Sequence, residues 1–406
     1  MRLRMRMTAA ALSLIMVFFL AGCMSYFTNN TRRLSITDDG YVYAEKDTHF
    51  NSGTLDIPEK LSGKTVVGIK SNAFSSSKGL SGAVVTIPDT VKVIGSNAFY
   101  NTGAVFEELD LTSVMKVGSS AFYGCSVETM YINDNVKDYS ASTSWTNGMK
   151  SVERIVFEDG TTTCYDFLTD NVASTVTSVA LPSSVTTINN YAFYCCSKLK
   201  NITLPSSVTK IGSYAFNASS LVFEELDLSS VSYVGSGAFD GCSVRKLTVG
   251  PDLSEYNTNW ADNMKGVKTL VVADSVTAVT SFLSKSMKES LENVVLPDGI
   301  ETIGDCVFED CSRLKTVTFP FSITKIGRNA FKGTGLELQE LDITQVDYVG
   351  ASAFDGCTVN TLFVDSSISG YSSSWNDNMT VKTVYVPDSV SNYTSWFSRS
   401  ILRQKS

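Results

Sequence analysis

Hydrolytic and acid–base sites are most often built from histidine and from paired carboxylates. In this chain the spacing of these residues indicates no such site. Its single histidine, His49, has nothing nearby that completes a nucleophilic triad. Aspartate and glutamate number 41 together, but no motif places two of them in one pocket, as a glycosidase would require. We therefore expect no catalytic residues, no enzyme activity and no cofactor.

Cysteine is the other reactive residue type, with nine copies. Five of them recur three residues after the phenylalanine of a repeated phrase: Cys125, Cys196, Cys242, Cys311 and Cys357. The closest are two repeats apart, about 9–10 Å in a stacked structure, which exceeds the roughly 7 Å Cα separation that a disulfide tolerates. No CxxC pair suggests zinc. We expect small buried side chains at this position and no metal site.

The N-terminal residues resemble a targeting signal. Three arginines precede an apolar run from Ala9 to Leu20, as in a secretory signal peptide, and the run is short for a transmembrane helix. The next residues, Leu20-Ala21-Gly22-Cys23, resemble a bacterial lipobox, which implies cleavage after residue 22 and a lipid on Cys23. The alternative is an ordinary signal peptide with a chance cysteine. We expect a lipid anchor in the bacterial cell envelope, at the outer membrane or cell surface, with the membrane as a partner.

The charge balance argues against one class of partner. The formal net charge is −8, and loss of the three signal-peptide arginines would take it to about −11. No basic stripe runs along the chain. We expect no nucleic-acid partner, because binding to a polyanion needs clustered positive charge.

The chain is built from a repeated unit, so any binding site must be positioned by that repeat. In each copy an outward residue lies between two inward apolar ones, the alternation of a half-buried strand. These outward residues are Asp56, Thr86, Asp110, Tyr131, Val156, Ala180, Thr203, Asp227, Thr248, Val271, Val295, Thr318, Asp342, Phe363 and Tyr385. After a first step of 30, they are 21 to 25 residues apart. This period is typical of a solenoid, in which stacked units bury the apolar face that one unit cannot bury alone.

A longer period lies on top of the first. The phrases VGSSAFYGC, VGSGAFDGC and VGASAFDGC begin 117 and 115 residues apart, and Trp145, Trp260 and Trp375 are spaced by 115. This spacing indicates three duplicated blocks of about five coils. The tryptophans replace the repeat phenylalanine, so we expect them in the core. The alternative is an aromatic platform for a sugar or a partner.

The pattern LP-x-x-V-x-x-IG-x-x-AF, present as LPSSVTKIGSYAF and LPDGIETIGDCVF, is similar to the BspA-like class of leucine-rich repeats. The resemblance covers about Thr54 to Ser395, although the strands at Ile132, Phe157, Val249 and Val364 lack the proline. It implies a repeat solenoid: a β-rich, right-handed leucine-rich-repeat solenoid of about 15 coils in three duplicated blocks. It also implies an adhesive role, since BspA-like proteins are often surface adhesins.

The chain divides into four predicted segments: a lipoprotein signal peptide (1–22), a lipidated tether and N-terminal cap (23–52), the solenoid (53–395) and a C-terminal cap (396–406). Leu34, Ile36, Tyr41 and Tyr43 predict a hairpin over the first coil. Caps are needed because an open solenoid end exposes core and strand edges. In the coils themselves, the recurring glycine at Gly212 and Gly327 predicts a left-handed bend with positive φ, and close backbone packing is the alternative.

The outward strand face is the candidate binding surface. Acidic residues recur in the third coil of each block, and the following coils carry apolar ones. The predicted binding residues are Glu108, Asp110, Tyr131, Glu225, Asp227, Glu340, Asp342, Phe363 and Tyr385. Exposed aromatic residues on such a surface often mark binding sites. The alternative is that neighbouring strands pack these side chains together and only stabilise the sheet.

Together these observations predict a non-catalytic cell-surface lipoprotein that binds proteins or host surfaces, by adhesion or capture, through its sheet face. One alternative is a periplasm-facing scaffold that organises envelope proteins. Another is a glycan-binding accessory protein, which would depend on exposed aromatic rings. The ligand, protein or glycan, is not specified by the sequence.

Overall fold

The computed structural model describes residues 30–388 and Phe397, except 52, 76, 139–144, 252–258 and 367–369. The predicted signal peptide, Cys23 and the C-terminal cap apart from Phe397 lie outside the described residues. The described part is a β-solenoid of about 14 turns with mostly parallel sheets. The predicted solenoid class is therefore confirmed.

Most turns contribute a strand to one face, which we call the long-strand sheet. Its described strands are β3 (Thr54–Asp56), β7 (Val84–Thr86), β9 (Val105–Asp110), β11 (Ser126–Ile132), β12 (Ser151–Phe157), β14 (Ser178–Ala180), β17 (Val222–Leu228), β19 (Ser243–Val249), β20 (Thr269–Val272), β22 (Asn293–Val295), β24 (Thr316–Val317), β26 (Glu337–Asp342), β28 (Thr358–Phe363) and β29 (Thr380–Tyr385). The predicted outward residues lie in these strands except Thr203 and Thr318. The alternation of apolar and polar residues thus located nearly every strand of this sheet.

A second face carries two-residue strands, which we call the short-strand sheet. They are β6 (Gly68–Ile69), β8 (Val93–Ile94), β10 (Lys116–Val117), β13 (Thr163–Cys164), β15 (Thr187–Ile188), β16 (Lys210–Ile211), β18 (Tyr233–Val234), β21 (Ala278–Val279), β23 (Thr302–Ile303), β25 (Lys325–Ile326) and β27 (Tyr348–Val349). Their apolar residue points inward, opposite the long strands.

The remaining elements lie at the N-terminus and between coils. The predicted hairpin is present, as β1 (Leu34–Ile36) pairs antiparallel with β2 (Tyr41–Ala44), and β2 continues the short-strand sheet beside β6. A small hairpin joins β4 (Lys60–Leu61) to β5 (Lys64–Thr65). Two helices of four residues, α1 (Asp170–Ala173) and α2 (Lys285–Lys288), and two 3₁₀ helices, Thr31–Arg33 and Asp134–Asp138, complete the described elements.

Tight turns join the long strands to the short ones. The carbonyl of Pro205 accepts a hydrogen bond of 3.1 Å from the backbone nitrogen of Val208, and Pro182 and Val185 form the same turn at 3.2 Å. Where the proline is absent the turn persists, since the Val136 nitrogen donates to the Asn133 carbonyl at 3.2 Å. Proline therefore favours the turn without being required for it.

The third side of each coil is a ladder of turns, which we call the turn face; in one coil it runs from Gly212 to Ser219. The predicted left-handed bend at the recurring glycine is wrong, because neither Gly212 nor Gly327 has a positive φ. A Cβ on Gly212 would lie 2.3 Å from the backbone nitrogen of Asn190 in the preceding coil. Close backbone packing explains the glycine. The left-handed residues come two and six positions later, at Tyr214 and Ala218.

The core is a column of aromatic rings between the three sides. Phe74 stacks on Phe99 at 4.9 Å and Phe99 on Phe122 at 5.8 Å between ring centroids. Trp145 continues the column, 6.5 Å from Phe122. Because each coil adds its ring to those of its neighbours, no coil completes its core alone.

The two sheets are interrupted at different turns of the described solenoid. The long-strand sheet breaks between β14 and β17 and between β24 and β26, and the short-strand sheet breaks between β10 and β13 and between β18 and β21. The order β13-β15-β16-β18 spans the first long-sheet break, and β17-β19-β20 spans a short-sheet break. Each interruption of one sheet is therefore bridged by the other.

Candidate binding surface

The nine predicted binding residues lie on the long-strand sheet, in two adjacent outward columns. Register places Asp110 beside Tyr131, Asp227 beside Thr248 and then Val271, and Asp342 beside Phe363 and then Tyr385. The glutamates Glu108, Glu225 and Glu340 occupy the other column, two residues earlier in the same strands. The structure thus brings together each block's predicted residues and leaves the three blocks as separate patches.

The three aspartates have a structural role that the sequence pattern did not predict. Oδ1 of Asp110 accepts hydrogen bonds from the Thr112 nitrogen at 2.9 Å and the Thr112 hydroxyl at 2.6 Å. Asp342 holds Thr344 in the same way, at 3.0 and 2.7 Å, and Asp227 accepts from the Ser229 nitrogen at 2.9 Å. Aspartate commonly stabilises turns by such bonds two residues on. The D-x-T/S spacing was the signal for this role.

The glutamate column differs between blocks. In the second block Glu225 lies 3.4 Å from the Lys246 ammonium, and Glu224 lies 3.7 Å from Arg245. Within the described part of the chain, no ion pair reaches Glu108 or Glu340, whose registered neighbours are Thr129 and Thr361. Within the described residues, the outward glutamates of the second block are therefore paired with basic side chains, whereas Glu108 and Glu340 of the first and third blocks are not.

Sequence reasoning missed part of the first acidic patch. The strand register skips Glu107 and Glu128, so two consecutive residues of each of these strands face outward. Glu107, Glu128 and Glu153 occupy the same position in β9, β11 and β12, and all three are exposed. Two adjacent polar residues inside an otherwise alternating strand were the available signal. The first patch is thus more acidic than predicted.

The apolar residues of this face form contacts among themselves and also remain exposed. The rings of Phe363 and Tyr385 stack with centroids 5.0 Å apart and planes at 8°, while 56% of Tyr385 is exposed. Tyr131 is half-buried between Asp110 and Val156. Cross-strand packing therefore operates here, as the alternative interpretation held, and Tyr385 still presents a ring to solvent.

The tryptophans do not belong to this surface. Trp145, Trp260 and Trp375 are buried, and Trp375 contacts Phe354 at 6.3 Å and Phe397 at 6.3 Å. The predicted core position is confirmed and the platform alternative is wrong.

The repeated cysteines are buried free thiols, as predicted. Cys125, Cys242 and Cys357 lie 3.4, 3.5 and 3.4 Å from the hydroxyls of Thr102, Ser219 and Thr334 respectively. Burial raises the pKa of these three thiols to about 11. They are held in the protonated, unreactive form at neutral pH. Cys195 and Cys306 are partly exposed.

Other chemistry-bearing groups are dispersed. His49 is exposed, and its backbone forms an isolated parallel β-bridge with the backbone of Lys78. Among the residues that the structure describes, no three histidine, cysteine or acidic side chains come together as a metal would need. Those same residues include no helix with the length and apolarity to span a bilayer. The outward sheet surface is consequently the main candidate for function.

Comparison with known proteins identifies the repeat. A family model described as the BspA type leucine rich repeat region matches in six copies over residues 65–168, 164–285 and 284–402. No curated protein matches the sequence. A leucine rich cell surface protein from Faecalibacterium prausnitzii is similar at 20% identity and a TM-score of 0.34, with 93% of this chain and 97% of that chain covered. A leucine-rich repeat protein from Bacteroides ovatus is similar at 19% identity and a TM-score of 0.42, with 87% and 98% covered.

Proposed function

The chain belongs to the BspA-type leucine-rich repeat family, and from that premise we propose that it is a non-catalytic surface protein that binds another protein along its long-strand sheet. The family is consistent with a protein-binding repeat scaffold. A solenoid offers a long, one-sided and repetitive surface suited to an extended partner. Because a fold alone does not fix a function, the proposal depends on the particular residues of this surface.

One observation carries the proposal. In the third block an aspartate that caps its own strand is followed in register by Phe363 and Tyr385, a stacked pair that leaves Tyr385 largely exposed. The first block repeats the arrangement with Asp110 and Tyr131. Aromatic rings beside polar groups are the residues that most often dominate protein–protein binding energy. The acidic residues around them would select a partner with a complementary positive surface.

The proposed anchor is the lipid on Cys23, with the solenoid displayed on the cell surface for adhesion or capture. The alternatives are a periplasm-facing scaffold and a glycan-binding accessory protein. The buried tryptophans remove one support for the glycan alternative, which on the long-strand sheet would depend on rings such as those of Tyr385 and Phe363.

The test is an exposed-aromatic truncation with a matched control. Tyr385→Ala removes an exposed ring of the long-strand sheet, whereas the control Tyr348→Ala removes a tyrosine ring that is 43% exposed on the short-strand sheet. We expect Tyr385→Ala to weaken binding about tenfold and Tyr348→Ala to leave it unchanged, since a few aromatic residues of a contact surface typically carry most of the binding energy. Binding is measured on arrays of purified extracellular-matrix proteins and of glycans.

Two outcomes would contradict the proposal. Equal losses for both variants would place the contact outside the long-strand sheet. Binding confined to the glycan array, insensitive to salt and lost on Tyr385→Ala, would favour the glycan alternative, because a surface that relies on acidic residues should weaken as salt screens them.

A further inference from the structure

The turn face carries a second aromatic cluster, remote from the surface discussed above. The rings of Tyr191 and Tyr194 have centroids 5.7 Å apart and planes at 82°, so they form a corner. Tyr191 also stacks on Tyr214, at 5.3 Å and 14°, and 44% of Tyr191 is exposed. The corner therefore presents aromatic surface to solvent.

These tyrosines occupy backbone positions to which aromatic residues are poorly suited. Tyr191 has φ 60 and Tyr214 has φ 57, in the left-handed region that bulky residues rarely adopt. Other coils place small residues at this position: Asn72, Asn97, Ser120, Gly237, Cys306, Asn329 and Ser352. Outliers of this kind concentrate at functional sites. The tyrosines thus indicate a role other than folding.

The preceding coil carries two carboxylates: Asp166, two residues after Cys164, which pairs with Ile188, and Asp170, the first residue of helix α1. Burial, and then the neighbouring Asp170, raise the pKa of the half-buried Asp166 to about 6. The pKa of Tyr194 is also raised, first by a hydrogen bond with Cys195 and to a smaller extent by Asp170. Across the described residues, no lysine or arginine forms an ion pair with Asp166 or Asp170. Negative charge therefore accumulates beside the aromatic corner.

The next block shows what the equivalent place can hold. There, 115 residues further on, Lys288 of helix α2 donates from Nζ to the carbonyl oxygen of Cys306 at 3.1 Å. Cys306 is the counterpart of Tyr191, and Lys288 is the counterpart of Ala173 in helix α1. One copy thus supplies its own ammonium group to this turn. The other copy lacks the lysine and has tyrosines and aspartates instead.

We propose that the corner formed by Tyr191 and Tyr194, beside Asp170, receives a lysine or arginine side chain of a protein partner. A cation over a tyrosine face is attracted by the ring quadrupole, and a nearby carboxylate strengthens the attraction. The corner lies on the turn face and not on the long-strand sheet. A negative result at one surface would therefore leave the proposal for the other unaffected.

The probes are small cations that mimic the two side chains. Ring-¹³C-labelled tyrosines are followed by NMR during titration with n-butylammonium or n-butylguanidinium, and n-butanol is the neutral control. We expect saturable shifts at Tyr191 and Tyr194 with both cations and none with butanol. The stacked pair Tyr100 and Tyr123, 4.6 Å apart, is the internal control, since the coil preceding Tyr100 has no carboxylate between Asn72 and Lys78.

Two variants make the test specific. Tyr191→Asn installs the residue that three other coils use at this left-handed position, so it should fold normally and abolish the shift at Tyr194. Asp170→Asn should weaken cation binding at least fivefold. Equal shifts at both tyrosine pairs, or undiminished binding in Tyr191→Asn, would overturn the proposal. A stronger response to tetramethylammonium than to n-butylammonium would overturn it in favour of a quaternary-ammonium ligand.

Discussion

At the scale of single residues, burial decides which groups are reactive. The cysteines of the repeat are buried, three of them beside a hydroxyl group, and burial raises the pKa of Cys311 to about 12. These thiols behave as small apolar residues. Burial therefore protects most of the free cysteines in the described part of the chain.

Asp166 should make the stability of the protein depend on pH. Its pKa in the folded protein is raised from 3.8 to about 6, first by burial and then by Asp170. The folded protein therefore binds this proton more tightly than the unfolded chain, and stability falls as pH rises between these two values. We expect Asp166→Asn to raise the melting temperature at pH 7.5 and to leave it unchanged near pH 4.

Circular dichroism melts at the two pH values check this prediction. Asp159→Asn, at an exposed aspartate in a neighbouring turn, is the control and should change little, as most surface substitutions do. A destabilising effect of Asp166→Asn at pH 7.5 would show that the carboxylate makes a favourable contact there.

At the scale of elements, the long strands follow from local pattern, because inward apolar residues alternate with outward polar ones. The role of the recurring glycine, at Gly212 and Gly327, could not be interpreted from one coil alone. Its role depends on the backbone of the preceding coil, which approaches the position where a Cβ would lie. Residues 201–204 have a strand pattern but no assigned strand, since a strand requires a neighbour in register as well as a suitable sequence.

The candidate binding surface likewise combines features that the local sequence shows with features that depend on neighbouring coils. The exposed columns were predictable from alternation and the capping bonds of Asp110 from the D-x-T spacing, but the ion pair of Glu225 depends on the residue that the next coil presents. The corner at Tyr191 was not predicted. Its signal was a tyrosine two residues after Asn189, at a position where most other coils carry asparagine, serine, glycine or cysteine.

Close coil packing gives a direct test at this scale. Gly212→Ala would place a Cβ 2.3 Å from the Asn190 nitrogen, so adjacent backbones must separate. We expect a loss of about 1–3 kcal/mol in the free energy of unfolding, as for other overpacked sites. Urea titration followed by circular dichroism measures it.

Gly299→Ala is the matched control, because a Cβ there would meet its nearest atom, the Asp274 carbonyl oxygen, at 3.7 Å and the residue has no positive φ. It should be neutral or stabilise by up to about 1 kcal/mol. Equal effects of both substitutions would mean that close packing is not why glycine recurs.

At the scale of the whole molecule, the proposed location can be tested on intact cells. If the chain is anchored by Cys23 and displayed outside, trypsin added to unbroken cells should remove the solenoid, as antibody detection would show. Cys23→Ala should release the protein into the medium or leave it unprocessed, since the lipid is the proposed anchor. Protection until the envelope is opened would instead support the periplasm-facing scaffold.

The staggered interruptions of the two sheets have a mechanical consequence. At each interruption in the described solenoid, one sheet stops while the other continues unbroken across the same coils. A force along the solenoid axis, as between an anchored end and a bound ligand, is carried across each interruption by the hydrogen bonds of the continuous sheet. Hydrogen bonds of at least one sheet therefore resist separation of the coils at each of these interruptions.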